Sequence, residues 1–447
     1  SGLLTVSTTT LQGVAVLEVV VNDPDLSATD ADIAAPSASV GGTSYEMTQG
    51  TNGKWYVYVV DRSQAALFDD DPNGFEYGIL CTSGIGVSAS ATTLIVASGT
   101  QVYVNSVEEA GATTAAGECL DLDNAPTTTD DSGSTSRQDM TAAILQNAPS
   151  LSNPGADQSN LGQRIHKLNA SGYGSWPYII SVNLTAGDNL VEYGSDSINV
   201  VYGNTDAESS IEIANRNPGD QAEVQMTITD PALNIDPTTA DIWSFDLTAA
   251  ATGSTVIFSN NGTNNALDPQ ELGQHDCVDN CRLSTNVQTG LGTGLYATTA
   301  AIFTETGAST DVFESFDATG AGSWKTIEGA AADGQVIYSY GGNSVDQIIT
   351  YNDATISMDA GGDWAPGQTA TISVNDPEAN RNPTSAETLN AYDESVKIPT
   401  IKVGNGGLTL AEGNNTHLSI DTGGTNVNHD AAASAGVNIG EGDGGLV

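Results

Sequence analysis

Carboxylates and side-chain amides recur at fixed spacing beside Asp-Pro pairs. Asp230, Asn234 and Asp236 lie in the stretch 228–240, ITDPALNIDPTTA. Asp376, Asn380 and Asn382 lie in its copy at 374–386, VNDPEANRNPTSA. A worn copy at 21–32, VNDPDLSATDAD, carries Asp23, Asp25, Asp30 and Asp32. A further cluster, Asp69, Asp70, Asp71 and Asn73, runs into Gly74. Two chemistries suit such clusters. Hard oxygen ligands packed into a turn are what Ca2+ and other divalent cations require. The same side chains also close turns by accepting nearby backbone N–H groups. The residue types alone leave both readings open.

The remaining reactive side chains are sparse. The four cysteines are Cys81, Cys119, Cys277 and Cys281. An even, low count in an acidic, Gly- and Thr-rich chain fits disulfides in an oxidising compartment. Cys277 and Cys281 then close a tight loop, and Cys81 pairs with Cys119. The run from His275 to Cys281, HDCVDNC, also reads as a metal knot of His, Asp and Cys. Asn169, Asn183, Asn261 and Asn414 each begin an N-x-S/T glycosylation sequon. No metalloprotease, nucleophile-elbow or phosphate-loop motif occurs, and the four histidines are scattered. The chain is therefore expected not to be an enzyme.

The elements that must position these groups read as β-structure. Pro has no backbone N–H and cannot sit inside a central strand. Each Asp-Pro therefore marks the end of an alternating apolar strand and the start of a turn. Further strands are predicted at 54–60, 75–81, 93–97, 101–104, 178–184 and 198–202, divided by Gly, Asn and Asp clusters. The run 14–21 reads as one buried strand. Residues 191–204 resemble 337–352: each has a Tyr, a short Gly-rich turn and an alternating strand that ends in Tyr. Between Cys119 and Ser171 the texture turns helical, with Met140, Ile144 and Leu145 at helical spacing.

Spacing sets the expected organisation. Asp23 and Asp230 are 207 residues apart, whereas Asp230 and Asp376 are 146 apart. The longer period accommodates the partly helical insertion. Only 71 residues follow Asp376, so a third unit is expected to be partial. The predicted fold is all-β: tandem immunoglobulin-like β-sandwich domains at 1–205 (insertion at about 119–171), 206–354 and, in part, 355–447.

The charge bounds the partners. The 447 residues carry 56 Asp and Glu against 11 Lys and Arg, a formal charge of −45. Such a field repels nucleic acid and anionic lipid and attracts cations. No apolar run reaches the length of a membrane helix, so no membrane insertion is expected.

The stretches VNDPDLSATDADIAAP at 21–36, NGKWYVYVVDR at 52–62 and ITDPALNIDP at 228–237 resemble the surface-layer proteins of ammonia-oxidising archaea. The resemblance implies a secreted cell-envelope glycoprotein of immunoglobulin-like domains. It implies self-assembly into a hexagonal lattice whose acidic pores favour cations over anions, with bound divalent metal in some lattices. An alternative that the same composition supports is an extracellular filament or adhesin subunit, with strand 14–21 inserted into a neighbour.

Overall fold

The structure, a computed structural model, describes residues 2–30, 33–68, 75, 77, 79–82, 101–104, 119–120, 144–150, 176–247, 256–260, 263–267, 275, 281–286, 295–359, 362–363, 367–387, 427–428 and 438–439. Most of the predicted insertion and the strand expected at 93–97 lie outside them.

The chain is mostly β, in open, sandwich-like sheets. Strands drawn from 4–182 form an eight-stranded sheet in the order Leu4–Val6, Leu17–Val21, Trp55–Asp61, Tyr178–Val182, Gln101–Val104, Ile79–Thr82, Cys119–Leu120, with Thr48–Gln49 added beside Trp55–Asp61. A five-stranded sheet follows the order Thr10–Leu11, Asp196–Tyr202, Gly187–Tyr193, Ser37–Val40, Thr43–Glu46. Residues 210–314 supply a seven-stranded sheet, and residues 284–348 a three-stranded one. A two-stranded hairpin pairs Thr355–Asp359 with Thr371–Asn375. Among the described residues no sheet draws strands from both sides of residue 205 or of residue 354. We refer to 4–202, 210–349 and 355–387 as the first, second and third units.

Side-chain period explains the layers. Successive strand residues point to opposite faces. The strand Ala300–Glu305 alternates half-buried and buried, with Ala301 and Phe303 inward. Trp55–Asp61 is buried at every position because both its faces are covered. One apolar cluster runs through the first two units and joins Trp55, Val57 and Val59 to Trp243, Phe258 and Tyr340.

Two elements differ from the sequence pattern. Only Leu17–Val21 of the run 14–21 is a strand, bonded to Trp55–Asp61 within its own unit. Val14, Ala15 and Val16 are buried but leave that sheet, because the second unit covers them. The strand expected to end at Val60 runs to Asp61 and turns into the helix Arg62–Phe68. Asp61 caps that helix through Oδ2, which accepts the N–H groups of Ser63 and Gln64, each at 3.1 Å.

Candidate functional site: a repeated joint between units

Each unit begins with an opening hairpin whose second strand ends one or two residues before the Asp of an Asp-Pro pair. The chain then makes one short 3-10 turn: Pro24–Leu26, Pro231–Leu233 or Pro377–Ala379. Pro starts the turn because its missing N–H would be unpaired there anyway. The Asp before it accepts the N–H two residues on: Asp25 to Asp23 at 3.0 Å, Ala232 to Asp230 at 2.9 Å, Glu378 to Asp376 at 3.1 Å.

A tyrosine from the end of the unit takes the other oxygen. Tyr193 closes the hairpin of Gly187–Tyr193 with Asp196–Tyr202, and its hydroxyl donates to Oδ2 of Asp23 at 2.8 Å. Tyr340 closes the hairpin of Gln335–Tyr340 with Asn343–Ile348, and its hydroxyl donates to Oδ2 of Asp230 at 2.5 Å. A third constant is the indole N–H of a buried tryptophan. Trp55 donates to Leu26 O at 2.9 Å and Trp243 to Leu233 O at 2.8 Å, three residues after the Asp in both cases.

The same landmarks locate the contact between consecutive units. Val16, seven residues before Asp23, donates its N–H to the carbonyl of Ile235, five residues after Asp230, at 3.0 Å. Glu223, seven residues before Asp230, donates to the carbonyl of Arg381, five residues after Asp376, at 2.6 Å. One main-chain bond at one pair of positions thus joins the first unit to the second and the second to the third. In the first two units the segment between the strands of the opening hairpin is fixed likewise. Val201 and Gly203 donate to Thr9 and Leu11, and Ile348 and Thr350 donate to Arg216 and Pro218.

The two joints differ in what surrounds that bond. Between the first and second units, the Gln12 side chain donates to His275 O at 3.0 Å and accepts from the Thr205 N–H and hydroxyl. The His275 ring accepts from the Val14 N–H at 3.4 Å through Nδ1, and its Nε2 lies 2.8 Å from Ala232 O. Rings from both units interlock: Phe75 stacks on Phe258 at 4.9 Å, and Phe68 meets Phe75 edge-on at 5.1 Å. Between the second and third units the contacts are polar. Arg381 reaches Gln221 Oε1 at 2.8 Å and Asp220 at 3.5 Å, and Glu378 accepts from the Asn352 N–H.

The acids of the second turn accept from backbone N–H groups and from a few side chains. Asp241 is buried, and its Oδ2 accepts the N–H groups of Ile235 at 2.5 Å and Asp236 at 3.0 Å. Asp236 accepts from Thr238 through Oδ1 and from the Gln146 N–H through Oδ2. Glu305 accepts the N–H groups of Thr310 and Asp311. Asn234 donates to Asp311 at 2.6 Å. In the third unit Glu387, eleven residues after Asp376 as Asp241 is after Asp230, accepts the N–H groups of Arg381 and Asn382. Asp241 and Glu387 fall just outside the repeated stretch, yet their shared offset is the signal that could have found them.

Burial dominates the electrostatics of this turn. It pushes Asp230 and Asp236 up to about 6 and Glu305 up to about 7, and it raises Asp241 well above the usual range. The neighbouring charges of Asp236 and Glu305 add to the rise at Asp241. Backbone donors offset part of it, as at any buried carboxylate.

Asp230, Asn234 and Asp236 share one buried turn, and Asp376 and Asn380 share the equivalent, more exposed one. Turn closure occupies the oxygens described above, and among the described residues no three His, Cys, Asp or Glu side chains gather as a metal ion needs. Asp69, Asp70, Asp71, Asn73 and Asp32 lie outside the described residues. So do Cys277, Asn169, Asn261 and Asn414. Cys281 is buried and disulfide-bonded. Cys81 and Cys119 are register partners on adjacent antiparallel strands. Asn183 is exposed, one residue beyond the strand Tyr178–Val182. A groove of about 670 Å³ opens on the outer face of the seven-stranded sheet, lined by Ile242, Ser244, Ile257, Ser259 and Ile302, with Asp241 at its edge. Among the described residues no helix is long and apolar enough to cross a membrane. No protein-family model and no curated protein matches the chain.

Proposed function

We propose that the chain is a structural subunit of a self-assembling extracellular surface layer, built from tandem immunoglobulin-like β-sandwiches and not an enzyme. The observation that carries this reading is the repeated joint, in which Val16 to Ile235 and Glu223 to Arg381 are the same bond at the same positions. A chain that spends its repeated geometry on docking one unit to the next is suited to building rather than to turnover. The formal charge of −45 supports a layer whose pores favour cations. Around a pore of nanometre width, comparable to a screening length of about 10 Å at 0.1 M salt, such a field concentrates cations and excludes anions. Copies of one acidic chain assemble against their own repulsion, so divalent cations such as Ca2+ are expected to promote the lattice.

Electron microscopy of the purified full chain, with and without Ca2+, tests the reading. The expected result is a planar periodic sheet favoured by the ion. A chain that stays monomeric and folded under all such conditions overturns it. The filament reading is favoured by one observation, the exposed strands Thr355–Asp359 and Thr371–Asn375, which offer a face for head-to-tail growth. Helical symmetry in the same images would select it.

A further inference from the structure

The opening hairpin occurs three times, and its cross-strand apolar pairs hold the same places. They are Leu4 with Val21 and Val6 with Val19 in the first unit. They are Ile211 with Ile228 and Ile213 with Met226 in the second, and Ile356 with Val374 and Met358 with Ile372 in the third. In each unit the second-strand members stand two and four residues before the Asp of the Asp-Pro pair. In the second unit all four side chains are at most 8 % exposed. In the third unit Ile356 is 64 %, Met358 53 %, Ile372 44 % and Val374 37 % exposed.

The two covered copies show what belongs on this face. In both, the tyrosine hairpin lies beside the first strand of this face. Its alternating strand supplies apolar side chains, Val336, Tyr338 and Tyr340 in the second unit, all buried. Its last Tyr bonds the Asp of the turn, as Tyr193 and Tyr340 do. The residue just after its turn bonds the backbone two residues before the first apolar position. Asp196 accepts from the Gly2 N–H at 2.9 Å, and Asn343 donates to Ser209 O at 2.8 Å. In the third unit the equivalent groups are the second oxygen of Asp376 and the backbone of Ala354, and among the described residues nothing bonds that oxygen. The face also continues an established interface, since the turn at Asp376 already docks on the second unit through Arg381 and Glu378.

We propose that the hairpin of Thr355–Asp359 with Thr371–Asn375 is a docking face for a β-hairpin of this tyrosine type. The partner carries an alternating apolar strand that ends in Tyr before a two-residue turn. Its side chains cover Ile356, Met358, Ile372 and Val374, its Tyr hydroxyl donates to Asp376, and the Asn or Asp after its turn bonds Ala354. The inference stands on the internal repeat and does not depend on the surface-layer reading. Ordinary complementarity drives it, because four apolar side chains leave water together while two polar contacts fix the register.

The test uses the full chain and a labelled synthetic peptide of residues 334–349, followed by fluorescence anisotropy. Saturable binding is expected. It should weaken at least about tenfold with Ile356→Asp or Ile372→Asp in the chain. It should also weaken several-fold with Tyr340→Phe in the peptide. Both chain positions are exposed, so the variants should keep the wild-type melting of the first two units. No binding, or binding that the two variants or a scrambled peptide leave unchanged, overturns the proposal. So does hydrogen-exchange protection of 355–359 and 371–375 in the free chain that is lost on deleting 388–447, which would make that segment the cover. Concentration-dependent dimers that Ile356→Asp abolishes would assign the face to a second copy of itself and overturn it equally.

Discussion

The hydroxyl of Tyr340 donates to Oδ2 of Asp230 at 2.5 Å across 110 residues of chain. It ties the last hairpin of the second unit to the first turn of the same unit. Both groups are buried, and burial keeps the tyrosine protonated as a donor while it pushes the Asp230 carboxyl up to about 6. Removing the donor strands a buried carboxylate oxygen. Tyr340→Phe should therefore cost about 2 kcal/mol. Tyr193→Phe removes the equivalent bond at a half-buried site and should cost less than about 1 kcal/mol. Chemical denaturation followed by tryptophan fluorescence checks both, and equal losses at the two positions would contradict the assignment.

The buried acids give the second unit an inverted response to acid. Asp230, Asp236, Asp241 and Glu305 all have folded-state values above their unfolded ones. The folded state therefore takes up protons before the unfolded state does. Their favourable contribution is complete below about pH 4 and is lost as pH rises through 6 to 7. For Asp230 alone the swing is on the order of 3 kcal/mol. The urea midpoint should rise as pH falls from 8 to 5, and the trend should survive 0.5 M NaCl, which screens the exposed charges. Asp241→Asn keeps an acceptor for Ile235 and should flatten the slope. A midpoint that falls with acid refutes the account.

Gly13 sets how closely the first two units approach. Its φ is +58°, and a Cβ there would lie 2.1 Å from Nδ1 of His275. Gly13→Ala meets both backbone strain and a ring that its neighbours fix. The expected loss is about 3 kcal/mol, concentrated at this joint. Hydrogen exchange should show faster opening around Val14–Val16 and Ala232–Ile235, with the strand Gly187–Tyr193 little changed.

Arg381 is the equivalent handle at the second joint, but it works in partial exposure. Its ion pair with Asp220 spans 3.5 Å with both side chains about a quarter exposed. Arg381→Met should cost no more than about 1 kcal/mol. Its clearer effect should be faster protease cleavage near 353–370, with a smaller difference from wild type in high salt.

Much of this plan is legible in the residues, for identifiable reasons. Pro forces a break, so Asp23, Asp230 and Asp376 mark strand ends openly. The hairpins that end in Tyr193 and Tyr340 share a pattern of Tyr, Gly turn and alternating strand that survives drift elsewhere. The joint is not legible, because its key bond uses main-chain atoms. Val16 and Glu223 share no side-chain chemistry, and neither do Ile235 and Arg381. The helix Arg62–Phe68 hides behind a strand that reads smoothly through Val60, although Asp61 followed by Ser63 is a capping signal. The acids of the Asp-Pro turn suggest ligands by type alone. Their role in closing the turn rests on burial and on the supply of nearby N–H groups, which no local pattern reveals.

The contrast between the two joints has a mechanical consequence. The first is clamped by interlocked rings and a buried amide, the second by a backbone bond ringed with solvated polar groups. Under a bending load the chain should behave as a rigid rod of two units that ends in a compliant elbow. Curvature would then concentrate near residue 352, and an assembly of such chains could flex over a curved support without disturbing its stiff parts.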